Sequence, residues 1–116
     1  ARLYLQASVV VFPTLHEGFG LPSVEAMAAE TPLLCSDIPV LHEVAGDAAL
    51  YASPENPDEI ARQLQRLLTD ESLRSELISS GKARLRAFDW ERTAEETLAV
   101  WREAAAARRL ATERKG

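Results

Sequence analysis

A single cysteine, a single methionine and two histidines are all this chain holds of the residue types that cross-link, start a chain or ligate soft metals. One cysteine cannot form an internal disulfide, which fits a reducing, cytoplasmic setting. No apolar stretch approaches the roughly 20 residues of a membrane span, and no secretory signal pattern opens the sequence. Positive charge is also scarce. The formal net charge is −5 and no basic run exceeds Arg114-Lys115, so nothing supports a nucleic-acid partner. Internal repeats and low-complexity linkers are missing, apart from the alanines of 104–107. The first residue is Ala1, and the lone methionine, Met27, lies well inside the sequence, so a piece of a longer protein is expected.

What is present is the alternation of an α/β protein. Leu3 to Ala7 reads as the end of a short helix, and Val9-Val10-Val11-Phe12 as a run of the kind seen in parallel strands buried on both faces. It is expected here at a sheet edge that the rest of a longer protein would cover. Pro13 ends it, residues 14–20 form a loop, and Pro22 opens a helix through about Ala29. Leu33-Leu34-Cys35 and Ala49-Leu50-Tyr51 read as two further short strands. Strands alternating with helices imply right-handed crossovers and a parallel sheet. Asn56, Pro57 and Glu59 mark a helix start, with Ile60, Leu64, Leu67 and Leu68 as its apolar face. Asp70 caps the next helix, with Leu73, Leu77 and Leu85 facing inward and Gly81 as a weak point. Asp89 caps the last, whose face is Trp90, Ala94, Leu98, Trp101 and Ala105, with both tryptophans expected in the core. The domain is expected over residues 1–107, followed by a polar, fraying tail over 108–116.

The chemistry concentrates between Glu17 and Glu25, two carboxylates eight positions apart. Gly18 and Gly20 lack a Cβ, so the backbone there can approach a ligand closely. The loop runs into a helix N-terminus, where unpaired amides and the dipole favour an anion. Glu25 then lies about one turn, roughly 5 Å, further along the axis. A phosphate at the helix start would bring an attached ribose near Glu25, and an ionised carboxylate suits a vicinal diol. On the other side, Glu17 and the amides of Gly18 to Gly20 could hold a hexose. From spacing alone, a solvated carboxylate pair flanking an ordinary glycine turn accounts for these residues equally well.

The stretch Phe12-Pro13-Thr14-Leu15-His16-Glu17-Gly18-Phe19-Gly20-Leu21-Pro22, followed by Glu25-Ala26-Met27-Ala28, resembles the Glu-x7-Glu region of family-four retaining glycosyltransferases of the GT-B fold. The likeness continues through Thr31-Pro32, Ser36-Asp37, Glu43-Val44, the 46–50 segment and the Phe88-Asp89-Trp90 turn. It implies a three-layer, Rossmann-like half domain: a short parallel three-stranded sheet flanked by helices, with long C-terminal helices, forming part of a GT-B C-terminal domain. It further implies that Glu17 is the catalytic-site residue, contacting donor-sugar hydroxyls rather than serving as an acid or base. Gly18, Phe19 and Gly20 would line the sugar pocket, the Leu21 amide would meet the diphosphate, and Glu25 would bind the ribose. His16 and Glu43 are further candidates, with His42 and Glu43 near a third loop at the cleft. Such enzymes transfer a glycosyl group with retention, in general without a metal, so the nucleotide-diphosphate sugar enters as donor substrate and no cofactor is expected. Positioning and electrostatic stabilisation of the leaving diphosphate would dominate.

Two departures stand out. Relatives carry a glycine where this chain has Glu30, and a left-handed cap disfavours a non-glycine by roughly 1 kcal/mol. The basic pair that holds the diphosphate and the N-terminal acceptor domain would both lie upstream of Ala1, so catalysis by this segment alone is not expected. Cys35 reads as a buried structural residue and Ser36-Asp37 as a turn. The expected setting of the parent enzyme is cytoplasmic, at the inner face of the membrane if it associates peripherally. The alternative is a non-catalytic α/β fragment that binds nucleotide weakly or only associates with a partner.

Overall fold

The computed structural model describes residues 2–113. Helix α1 (Arg2–Gln6) leads to strand β1 (Val10–Phe12), α2 (Leu21–Ala28), β2 (Leu33–Ser36) and α3 (Pro39–Ala45). A 3-10 turn (Gly46–Ala48) then enters β3 (Ala49–Ala52), followed by α4 (Pro57–Thr69), α5 (Glu71–Leu85) and α6 (Trp90–Glu113). The three strands pair in parallel in the order β1-β2-β3, with Val10 opposite Leu33 and Leu33 opposite Ala49.

The sheet separates two apolar layers because successive side chains of a strand point to opposite faces. Leu33 and Cys35 of β2 face α2 and α3, where they pack with Ala26, Leu41, Ala45 and the half-buried Phe12. Leu34, between them, faces the other way onto Leu67 of α4 and Leu77 of α5. The connections β1-α2-β2 and β2-α3-β3 share one sense, so both helices lie on the same face of the sheet. All four residues of β2 are buried, as the central strand of a parallel sheet requires. The α/β sandwich expected from the sequence is therefore the one found.

Local chemistry sets most of the element ends. The Asn56 side chain accepts the Glu59 amide at 3.1 Å, and Asp70 accepts that of Leu73 at 2.9 Å. Asp89 accepts the Glu91 amide at 2.9 Å and so starts α6. The Glu59 carboxylate reaches back to the Ser53 amide at 3.0 Å, tying β3 to α4. At the end of α2, the amides of Glu30 and Thr31 donate to the carbonyls of Met27 and Ala26, with Glu30 at φ 55°. That is a Schellman closure built on a non-glycine residue.

β1 forms the expected sheet edge: it pairs only with β2 among the described residues, so Val11 is 40% exposed and its neighbours half-buried. Several expectations need correction. Leu68 is 53% exposed, since Ile60, Leu64 and Leu67 already complete the stripe that the narrow sheet can cover. Gly81 is a contact rather than a weak point; a Cβ there would stand 3.2 Å from the Met27 Cγ, so its absence lets α5 approach α2. Trp90 and Trp101 are 79% and 69% exposed, and every α6 residue from 90 to 108 is exposed, so this face covers no core. Finally, α6 runs without a break past residue 107 to Glu113, and residues 114–116 of the expected tail lie outside the described residues.

Candidate functional site

In a parallel sheet all strands end at the same edge, and open α/β sheets bind their ligands outside that edge. The loop after β1 carries His16 to Gly20 there, and the segments after β2 and β3 begin with Asp37 and Ser53. Thr14 Oγ1 donates to the His16 carbonyl at 2.9 Å, closing the first half of the loop. His16 and Gly18 are exposed and Glu17 is half-buried.

The two glycines differ. Gly20 is buried at φ 92° and ψ 50°, and a Cβ would stand 2.5 Å from the Leu41 Cδ2. Both its conformation and the close approach of α3 therefore require glycine. At Gly18 a Cβ would meet nothing within 4 Å, so the fold makes no demand there. Phe19 between them is 44% exposed, and its ring meets Phe88 edge-on at 5.8 Å and 86°.

Gly20 caps α2 without a side chain to offer, which leaves the helix start for an outside acceptor. Leu21, at that start, is 50% exposed. Beneath it the Ser23 hydroxyl is fully buried and has no hydrogen-bond partner. Glu25 is exposed on the next turn and shares an open depression of about 320 Å³ with Tyr4, Leu5, Ala28 and Ala29. The Tyr4 phenol is raised above its ordinary pKa, first by a hydrogen bond to the Glu25 carboxylate, then by burial and by that carboxylate's charge. Tyr4 is in turn held through its carbonyl, which accepts the Thr31 hydroxyl at 2.7 Å. Sequence reasoning missed this tyrosine; its spacing from Glu25 carries no local signal.

The structure thus groups His16, Glu17, Gly18, Phe19 and Gly20 on one loop, and Leu21 and Glu25 on the helix that follows. His42 and Glu43 lie on α3 rather than on a loop. The His42 imidazole bonds to Asp37 at 2.6 Å and stacks on Tyr51 at 3.8 Å, while Tyr51 donates its hydroxyl to the Gly46 carbonyl at 2.6 Å. Burial raises the Tyr51 phenol and pushes the Cys35 thiol up to about 12, so both stay protonated near neutrality. Glu43 presents an exposed side chain, and its carbonyl together with that of Val44 accepts the Arg84 guanidinium, Nε lying 3.0 Å from Val44 O. Among the described residues no group of three or more His, Cys, Asp or Glu is placed to hold a metal ion. No helix among them is long and apolar enough to cross a membrane.

A parallel sheet with a glycine loop at its carboxyl edge, opening an uncapped helix between two carboxylates, defines a Rossmann-like α/β unit. Residues 1–84 match the family described as glycosyl transferases group 1, and the chain belongs to that family. It is 38% identical over 100 residues to the O-antigen chain mannosyltransferase B of Escherichia coli, covering 86% of this chain and 26% of that protein. It is also 38% identical over 110 residues to an MMP alpha-(1->4)-mannosyltransferase of Mycolicibacterium hassiacum, covering 91% of this chain and 27% of that one. The sucrose-phosphate synthase of Thermosynechococcus elongatus superposes with a TM-score of 0.81 at 33% identity, over 90% of this chain and 27% of the other. The resemblance to the C-terminal part of a GT-B glycosyltransferase therefore holds, and this chain spans about a quarter of the length of these relatives.

Proposed function

We propose that this chain is the donor-gripping part of a longer retaining, hexosyltransferase-like enzyme that takes a glycosyl group from a nucleotide-diphosphate sugar. The observation that carries this reading is the left-handed Gly20 at the start of α2, with Glu17 before it and Glu25 one turn beyond. That arrangement offers backbone amides to the diphosphate at the Leu21 end. The ribose diol falls to Glu25 and the sugar hydroxyls to Glu17, with His16 and Glu43 as flanking groups. Neither carboxylate is needed as a proton carrier. Both serve to hold the donor while the helix start stabilises the charge that develops on the leaving diphosphate. No cofactor or metal is assigned, and the acceptor, a glycan, lipid or small molecule, falls to a part of the parent outside this chain. The parent works in the cytoplasm, at the inner face of the membrane where its acceptor is a lipid.

The mannosyltransferase names of two relatives make a hexosyl donor the first to test. In the parent enzyme, Glu25→Ala should raise the donor KM about tenfold or more, the loss of one or two hydrogen bonds to a charged acceptor, and leave kcat within a few-fold. Unchanged donor kinetics would remove the ribose assignment. The anomeric configuration of the product, read by proton NMR, tests retention; an inverted product defeats it. The 116 residues alone should bind UDP-glucose, GDP-mannose or ADP-glucose weakly in a calorimetric titration, because neither the loop over 13–20 nor α2 carries a lysine or arginine to meet the diphosphate. Micromolar affinity for any of the three would show that this segment is a complete donor site.

A further inference from the structure

Phe88 belongs to neither layer of the core. It sits in the turn between α5 and α6, half-buried, with its amide donating to the Leu85 carbonyl at 2.9 Å. Its ring makes two contacts across the molecule. The edge-to-face partner is Phe19, 5.8 Å between centroids, and the Arg84 guanidinium lies over the ring at 5.9 Å. Arg84 is itself fixed, because it donates to the carbonyls of Glu43 and Val44 that the end of α3 leaves unpaired. Two of the five guanidinium donors of Arg84 are therefore engaged on α3.

Phe19 is the one side chain in the middle of a segment flanked by two glycines, and a Cβ added at Gly18 beside it would meet nothing within 4 Å. A loop of that composition has many conformations to lose when a ligand orders it. The aromatic contact removes part of that freedom before the ligand arrives.

We infer that Phe88 is a positioning residue that holds the Phe19 loop in its sugar-binding conformation, with Arg84 fixing the Phe88 ring against the end of α3. The inference rests on the donor-binding reading and assigns a role to the Phe88-Asp89-Trp90 turn beyond the start of α6. It also separates two parts of one ligand. Phe88 acts on the loop that meets the sugar, whereas the nucleotide is gripped at Leu21 and Glu25 on α2.

The test uses the parent enzyme and compares affinity for an intact sugar nucleotide with affinity for the bare nucleoside diphosphate. UDP-glucose, GDP-mannose and ADP-glucose are each titrated against UDP, GDP and ADP. Phe88→Leu keeps the volume and loses the aromatic edge. It should weaken binding of the sugar nucleotide that the wild type takes by about two- to tenfold, the range set by one edge-to-face pair. Binding of the matching nucleoside diphosphate should change less than about twofold, and Phe88→Tyr should restore the wild-type ratio. Phe19→Leu, on an exposed loop the core does not use, should reproduce the selective loss, and it carries the test if Phe88→Leu does not fold. Equal losses for both ligands, or no loss in either variant, overturn the inference. A wild-type parent that binds none of the six compounds overturns the donor-binding reading beneath it.

Discussion

Gly18 and Gly20 stand two positions apart and answer to different demands. Gly20 combines a left-handed backbone with a neighbour, Leu41, already inside the volume a methyl group would need. Gly20→Ala should therefore lower stability by about 2–4 kcal/mol, from about 1 kcal/mol of backbone strain plus the overpacking that displaces α3. Gly18 has neither a left-handed φ nor a neighbour within 4 Å of its absent Cβ. Gly18→Ala should leave the unfolding free energy from urea titration within about 0.5 kcal/mol of wild type and yet weaken donor binding by the parent, because the added methyl faces the volume we propose for the sugar. Equal stability losses in the two variants would count against this division. Ser23 shows the same separation of fold from site. Its buried hydroxyl has no partner beneath the uncapped start of α2, a position where the fold gains nothing from a polar atom.

At the scale of elements, the end of α2 shows how a local rule can be broken and partly offset. Glu30 takes a left-handed position that favours glycine, and the Schellman hydrogen bonds form all the same. Its carboxylate pairs with Lys82 at 2.9 Å, but both side chains are more than half exposed, so the pair adds little. Glu30→Gly should therefore raise stability by about 0.5–1 kcal/mol, read as a higher urea midpoint with an unchanged slope. A lower midpoint would mean that the Lys82 pair outweighs the backbone strain. The caps at Asn56, Asp70 and Asp89 are legible in the sequence because a cap is an interaction over two or three residues. The three strands are legible for a similar reason, as short apolar runs closed by Pro13, Asp37 and Ser53. The exposure of β1 follows from its edge position, which a sheet of only three strands implies. Composition alone does not give it, since Val9 to Phe12 reads the same whether it ends a sheet or fills its middle. The loop and helix of the candidate site are contiguous and could be read. Tyr4, Arg84 and Phe88 reach it across the fold, and no spacing announces them.

For the whole molecule, the amphipathic pattern of α6 identifies a face that is able to bury, and nothing among the described residues covers it. The Cα radius of gyration is 19.4 Å and the longest dimension 70 Å, against about 13 Å expected for a compact domain of this length. A 24-residue helix is about 36 Å long, so the excess comes from α6 standing away from the sheet. Trp90, Leu98, Val100 and Trp101 are all more than 40% exposed, while both core layers close without any α6 side chain. An element that adds no side chain to either core layer contributes little to the free energy of folding. A chain ending at Asp89 keeps the turn at Phe88 and both core layers, and its unfolding free energy from urea titration should lie within about 0.5 kcal/mol of the full chain's. Its radius of gyration in small-angle scattering should fall to about 12 Å, the value for a compact domain of that length. It should also stay monomeric to higher concentration, because the exposed apolar side chains of α6 have been removed. A shortened chain that unfolds, with the full chain scattering near 13 Å, would mean that α6 folds back onto the sheet in solution. The opposite result makes α6 a free-standing arm whose apolar face lies beyond the turn where Phe88 meets the donor loop.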